Sequence, residues 1–350
     1  MGLSLNAPIV IGVVSSVSNV CFLILLRCRP SQHLGWYTYI LVCITFNDFL
    51  YGAVMAFADI VIHSANGVAG FSTIKYPFPL CELMYIMLLY TFSLGLILVD
   101  VGFVYRMLMI KNSPLVFKLF YLPRNVFLIA LFCLCLSTVF AVATFANFYR
   151  TPTSQLEHPY FGVDPTERCL YIVDFGENVI VRILLMLGSL SVMWLVVGAM
   201  IGCGVAIHRT IKQHAYSRLT LSLHKKALLT LTLQALNPIL CLSVPFVVLF
   251  AGSLVPWFTS SSAAYLVPSI LTSLPPLFNP LIVIVLTHEY RRMLFAGLRR
   301  RKTTIGGSSN DTAVPPQVWR IPGAPRTTNT LFGASSQSRR DTPPTMNIVP

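Results

Sequence analysis

LPPLFNPLIVIVLTHEYRRMLFAGLRRRK, residues Leu274–Lys302, begins as an uncharged apolar run and ends as a basic one. Pro280 has no backbone N–H, so a helix through this run loses one hydrogen bond, bends, and leaves a carbonyl in need of another donor. In hydrocarbon such a break persists only where neighbouring helices or water satisfy the freed group. From His288 the pattern becomes amphipathic. Tyr290, Met293, Leu294 and Leu298 share one helical face, while Arg291, Arg292, Arg299, Arg300, Arg301 and Lys302 take the rest. That is the pattern of a short helix lying on an anionic membrane surface. The stretch therefore reads as a kinked last span followed by a basic surface helix over 288–302. Any last span with a positive flank gives the same local pattern, so the remaining chain must decide what the span belongs to.

Outward from this stretch the chain stays apolar: 55% of its 350 residues are hydrophobic and only 11% are charged. A soluble domain carries about a quarter charged residues. Seven apolar stretches reach the ~20 residues that a helix needs to cross the hydrocarbon: Ala7–Leu26, Trp36–Ile62, Leu80–Ile110, Val126–Phe148, Ile183–Ile207, Ala227–Leu254 and Ala263–Leu286. The chain reads as an all-α membrane protein, a bundle of seven transmembrane helices over 7–287. A short segment, 1–6, precedes it. The tail, 303–350, is rich in Pro, Ser, Thr, Gly and Arg and reads as disordered.

The net charge of +13 would fit a nucleic-acid partner, but its placement fits a membrane better. With the N-terminus outside, 21 of the 25 Lys and Arg residues fall on the inner side; only Lys75, Arg150, Arg168 and Arg182 fall outside. That asymmetry predicts N-terminus out and C-terminus in. With Arg27 and Arg29 behind it and no basic residue ahead of it, the first span reads as a reverse signal-anchor and not as a cleaved signal peptide. Of the nine cysteines only Cys81 and Cys169 fall at outer positions, where oxidation is permitted, so one disulfide between them is expected.

Polar residues inside the spans mark candidate sites, because an ionisable group in hydrocarbon is costly and functional by default. Asp48 lies near mid-membrane in the second span, and Asn19 interrupts the first. A structural reading of Asn19, a bond to a neighbouring carbonyl, stands beside the functional one. The third span runs from Cys81 to Tyr105-Arg106, 25 positions that cover about 37 Å at ~1.5 Å each. On the face of Arg106 lie Val99, Gly95, Phe92, Leu88 and Tyr85, an apolar and aromatic stripe that is either core or a cavity wall. Tyr85, Leu88 and Phe92, with Phe246 of the sixth span, are the candidate ligand cavity. Asp100 is a second buried acid, off the face of Arg106. The sixth span carries Gln234, Asn237-Pro238 and Pro245. No phosphate loop, metal-ligand cluster, HExxH or GxSxG pattern occurs, so no enzyme chemistry, metal or cofactor is predicted.

Three stretches carry a family resemblance: GFVYRMLMI (Gly102–Ile110), LHKKALLTLTLQALNPILCLSVP (Leu223–Pro245) and LPPLFNPLIVIVLTHEYRR (Leu274–Arg292). In this order and spacing the chain resembles the nematode serpentine chemoreceptors of the str/srh/srd type, which are seven-span G-protein-coupled receptors. A looser resemblance is to rhodopsin-like receptors. It implies that Asn19, Asp48, Asn279 and Pro280 form an interior polar network, that Tyr105 and Arg106 form an inner latch and coupling site, and that the Cys81–Cys169 disulfide clamps the third span to the second outer loop. The chain departs from that pattern in three places. Val104-Tyr105 replaces the acid before the arginine, Val283 the tyrosine after Pro280, and no tryptophan precedes Pro245. Leu88, where an amine receptor would carry its acid, argues against a biogenic-amine ligand.

The resemblance implies a chemosensory receptor in the plasma membrane, or in the ciliary membrane of sensory neurons. It implies a small-molecule ligand in the outer part of the bundle, a heterotrimeric G protein at the inner end, and an arrestin-like partner for the Ser/Thr-rich tail. The other class is a small-solute transporter or channel built on the same helices. Transporters show repeat symmetry and polar-lined paths, whereas spans four and five here hold almost no ionisable side chain.

Overall fold

A computed structural model describes residues 7–28, 36–65, 68–74, 79–111, 113–146, 149–150, 168–174, 179–213, 222, 225–241, 263–287 and 290–292. Within these, α1 (Ala7–Cys28), α2 (Tyr37–Ala58), α3 (Leu80–Ile110), α4 (Pro123–Phe145) and α5 (Val179–Gln213) each contain a stretch long and apolar enough to cross a membrane. Residues 225–241 form the described part of α6. The last span is a broken pair, α7 (Ala263–Ser273) and α8 (Pro275–Leu286), bent by 48°. These seven segments make the predicted helix bundle.

Helix α3 is the axis of the bundle, with α2, α4 and α5 packed on it. Its residues Tyr85, Leu96, Val99, Phe103 and Tyr105 are buried in the main core. The outer helices turn large apolar side chains outward; Phe127, Phe132 and Val139 of α4 are more than 60% exposed. Lipid, not water, is the solvent such a surface suits.

Helices α1 and α2 approach until their backbones touch. A Cβ added at Gly12 would lie 2.7 Å from the backbone nitrogen of Ala56 and 2.8 Å from the carbonyl oxygen of Gly52. Small residues at such a crossing let two membrane helices gain dispersion contacts that larger ones forbid.

The apolar pattern of the second span continues to Ile62, but helix α2 stops at Ala58, where Asp59 adopts a left-handed backbone (φ 44°) and caps the helix. The apolar residues that follow form strands: β1 (Val61–Ala65), β2 (Val68–Ile74), β3 (Tyr149–Arg150) and β4 (Arg168–Asp174). They make an antiparallel sheet in the order β1-β2-β4-β3, with Thr73 opposite Cys169. The sheet sits at the end of the bundle where α3 begins, and Cys81 is disulfide-bonded to Cys169 there. A short π-helical turn, Phe117–Tyr121, lies at the opposite end.

Candidate functional site

The break between α7 and α8 gathers a cluster of buried polar side chains. Two prolines there each delete the N–H that would have bonded four residues back. Pro276 frees the carbonyl of Thr272, and Pro280 frees that of Pro276. Each freed oxygen meets a donor from another helix. The Tyr51 hydroxyl of α2 donates to Thr272 O at 2.7 Å, and the Asn19 amide of α1 donates to Pro276 O at 2.8 Å. Asn19 also donates to Ser15 O at 2.9 Å within its own helix. Both sequence readings of Asn19, a backbone bond and a place in a network, thus describe parts of one arrangement.

Asn279, one residue before Pro280, stands between two helices. Its Nδ2 donates to Asp48 Oδ2 of α2 at 2.9 Å, and its Oδ1 accepts from Asn237 Nδ2 of α6 at 3.0 Å. Asn237 donates also to Pro275 O at 2.8 Å. Asn19, Asp48, Asn279 and the Pro280 kink therefore come together, and Tyr51, Asn237 and Thr272 join them. A cavity of about 30 Å³ adjoins Asp48, Tyr51, Thr91, Gly95 and Asn279. That is room for about two waters, among groups able to bond them. Gly95 leaves this space open: a Cβ there would press within 3.0 Å of Asn47 Nδ2.

Arg106 lies at the other end of α3. Its guanidinium is 4.3 Å from the ring centroid of Tyr37 on α2, and its Nε makes no hydrogen bond among the described residues. Tyr37 stacks on Tyr105, its hydroxyl making a long 3.4 Å bond to Gln234 Oε1 of α6. Tyr105 packs edge-on to Phe120. The structure sets a ring of α2, that of Tyr37, under the charge.

The candidate ligand residues are packed rather than open at their outer end. Tyr85 is enclosed by Tyr171 of β4, stacked at 5.5 Å, and by Phe71 of β2 and Phe145 of α4. Leu88 is buried in the core and Phe92 borders the 30 Å³ cavity. Phe246, Pro245 and the tail lie outside the described residues, as does most of the expected surface helix. Of that helix, Tyr290 is described. It is buried, with its ring edge-on to Phe22 of α1 at 5.8 Å. Asp100 is half-buried on α3, and its Oδ1 has no hydrogen-bond partner among the described residues.

A comparison with protein families places this arrangement. A family model described as "Serpentine type 7TM GPCR chemoreceptor Str" matches residues 7–295, all of the helix bundle. No curated protein matches the chain.

Proposed function

The chain belongs to the Str family of serpentine seven-transmembrane chemoreceptors, and on that premise we propose that it binds a small molecule in the outer part of the bundle and activates a heterotrimeric G protein at the inner end. The observation that carries this reading is Asn279, bonded at once to Asp48 of α2 and Asn237 of α6 beside the broken last span. A helix whose backbone is completed by side chains of α1, α2 and α6 can exchange those partners as a set. Such an element gives two discrete packings, which a ligand biases through its difference in affinity for them.

In this reading the N-terminus and the sheet face outward and the C-terminus faces inward, as the Lys and Arg distribution favours. The receptor resides in the plasma membrane or the ciliary membrane of a sensory neuron. Arg106, Tyr105 and the end of the bundle around Phe120 then face the G protein. An arrestin-like partner reads the Ser/Thr-rich tail once phosphates give it negative charge. The deciding experiment records G-protein recruitment and membrane current in the same cells while a panel of volatile and water-soluble compounds is applied. Recruitment without current supports the receptor; ligand-evoked current or flux without recruitment would replace it with a channel or transporter. Epitope accessibility at both termini of intact cells tests the orientation.

A further inference from the structure

The end of the bundle away from the sheet carries an apolar surface beyond the ends of its helices. Helix α3 ends at Ile110 and α4 starts at Pro123, and the segment between them has two faces. Val116 and Phe120, four residues apart, are buried, with Phe120 edge-on to Tyr105 at 5.0 Å between ring centroids. Phe117 and Tyr121, also four apart, are exposed, and their ring centroids lie 5.0 Å from each other. Leu115 and Leu122 are exposed beside them. The Asn125 amide donates to Lys118 O at 2.7 Å, which ties the π-helical turn to the first turn of α4.

The contacts of Tyr121 show which way the exposed face looks. Tyr121 packs on Trp36 at 5.5 Å, and Trp36 packs on Tyr39 at 5.0 Å. Tyr39 shares one face of α2 with Phe46, and both are exposed, as on a face that a spanning helix turns to hydrocarbon. The row Phe117, Tyr121, Trp36 and Tyr39 therefore runs onto the flank of the bundle. Aromatic rings on the flank of a span collect at the boundary between acyl chains and headgroups. Lys111, Lys118 and Arg124 are exposed along the same segment, and no acid occurs from 101 to 156 to neutralise them. Topogenic charge accounts for these cations but not for the apolar side chains exposed between them. A protein docking from the cytosol meets the end of the bundle, whereas this face lies on its side. We infer that Leu115–Arg124 is a docking surface for anionic phospholipid of the cytosolic leaflet. Phe117, Tyr121 and Leu122 enter the acyl boundary, and Lys118 and Arg124 hold the anionic headgroups. The assignment to the cytosolic leaflet rests on the orientation proposed above. Through Phe120, the same turn reaches Tyr105 at the coupling end.

The test places the full-length protein in nanodiscs of phosphatidylcholine with a minor share of phosphatidylserine. A trace of either lipid, carrying a diazirine close to its headgroup, is added and its adducts are mapped by mass spectrometry. Phosphatidylserine should label Leu115–Arg124 about ten- to thirtyfold more than phosphatidylcholine does, the preference that two cations at an anionic surface provide. Lys118→Gln with Arg124→Gln should bring the two lipids to near equality there. Lys118→Arg with Arg124→Lys keeps both charges and should label as the native chain does. Both side chains are exposed, so neither pair of changes disturbs the core. The two leaflets of a nanodisc carry the same lipids, so the labelling tests the site whichever way the chain is oriented, and the epitope measurement tests the orientation by itself. Adducts absent from the segment, or a preference for phosphatidylserine that survives the double Gln change, would overturn the site. Loss of G-protein recruitment in that variant with labelling unchanged would give the face to the protein partner instead.

Discussion

Arg106 holds its charge over the face of Tyr37, with the guanidinium carbon 4.3 Å from the ring centroid. Tyr37 belongs to α2, Arg106 to α3 and the hydroxyl partner Gln234 to α6, so three helices meet at one ring. A desolvated cation over an aromatic face contributes about 1–2 kcal/mol. That is a weaker restraint than a buried carboxylate pair, and it is one that a docking partner with hydrogen-bond acceptors can displace.

If this contact restrains the resting state, Tyr37→Leu should raise basal G-protein activation, its active-to-resting ratio shifting about five- to thirtyfold. Tyr37→Phe keeps the ring face and should stay near the native level. Arg106→Lys keeps the charge but loses the planar five-donor fork, so it should reach the surface and lose most coupling. Full signalling from surface-matched Arg106→Lys would leave Arg106 a topogenic charge.

The bond from Asn19 to Pro276 O exists because Pro280 lacks an N–H. Asn19→Leu should therefore cost about 0.6–2 kcal/mol of stability in a thermal melt of the purified protein. Pro280→Ala restores the missing N–H, so in that background the same Asn19 substitution should cost distinctly less. Additive losses across this double-mutant cycle would show that Asn19 acts elsewhere.

Asn279 donates to Asp48 Oδ2 at 2.9 Å, and an asparagine at 48 can still accept that bond. Asp48→Asn should thus fold and reach the surface while signalling weakens, because the ionisable group beside the 30 Å³ cavity is gone. Normal signalling with reduced thermal stability would make Asp48 a structural residue.

Gly12 tests the packing of the first two helices. A Cβ added at Gly12 would meet α2 backbone atoms at 2.7 and 2.8 Å, which cannot swing aside. Gly12→Val should force α1 away from α2 and sharply reduce surface delivery. Gly198, whose Cβ direction is open, is the control: Gly198→Val should be delivered normally.

Cys81 and Cys169 tie the start of α3 to β4. Cys81→Ser and Cys169→Ser should each lower surface delivery, and the double variant should be no worse than either single one. Free thiols at both positions, found by alkylation and mass spectrometry of the mature protein, would remove this clamp.

The sequence reveals the spans because hydrocarbon demands long uncharged runs, and it reveals Asn19, Asp48 and Asn279 because polar groups stand out against them. Even the freed carbonyls of Thr272 and Pro276 follow from counting four residues back from a proline. Their donors do not: Tyr51 and Asn19 lie 221 and 257 residues away in the chain. Tyr37 under Arg106 gave no signal either, being one aromatic among 12% aromatic residues. The sheet was hidden for a different reason. Val61 and Ile62 are apolar enough to continue a span, and only the left-handed turn at Asp59 stops the helix.

The broken last span also imposes an order on biosynthesis. Asn19 and Tyr51 belong to helices made first, while the carbonyls that complete them belong to the helix made last. Until that helix enters the bilayer, the Tyr51 hydroxyl lacks Thr272 O and the Asn19 amide has only Ser15 O of its own helix. A chain arrested before Thr272 lacks both acceptors and leaves the Tyr51 hydroxyl to find another in the bilayer. Completion of the last span thus supplies acceptors that α1 and α2 do not contain, and the finished fold differs from the partial one in its buried hydrogen bonds.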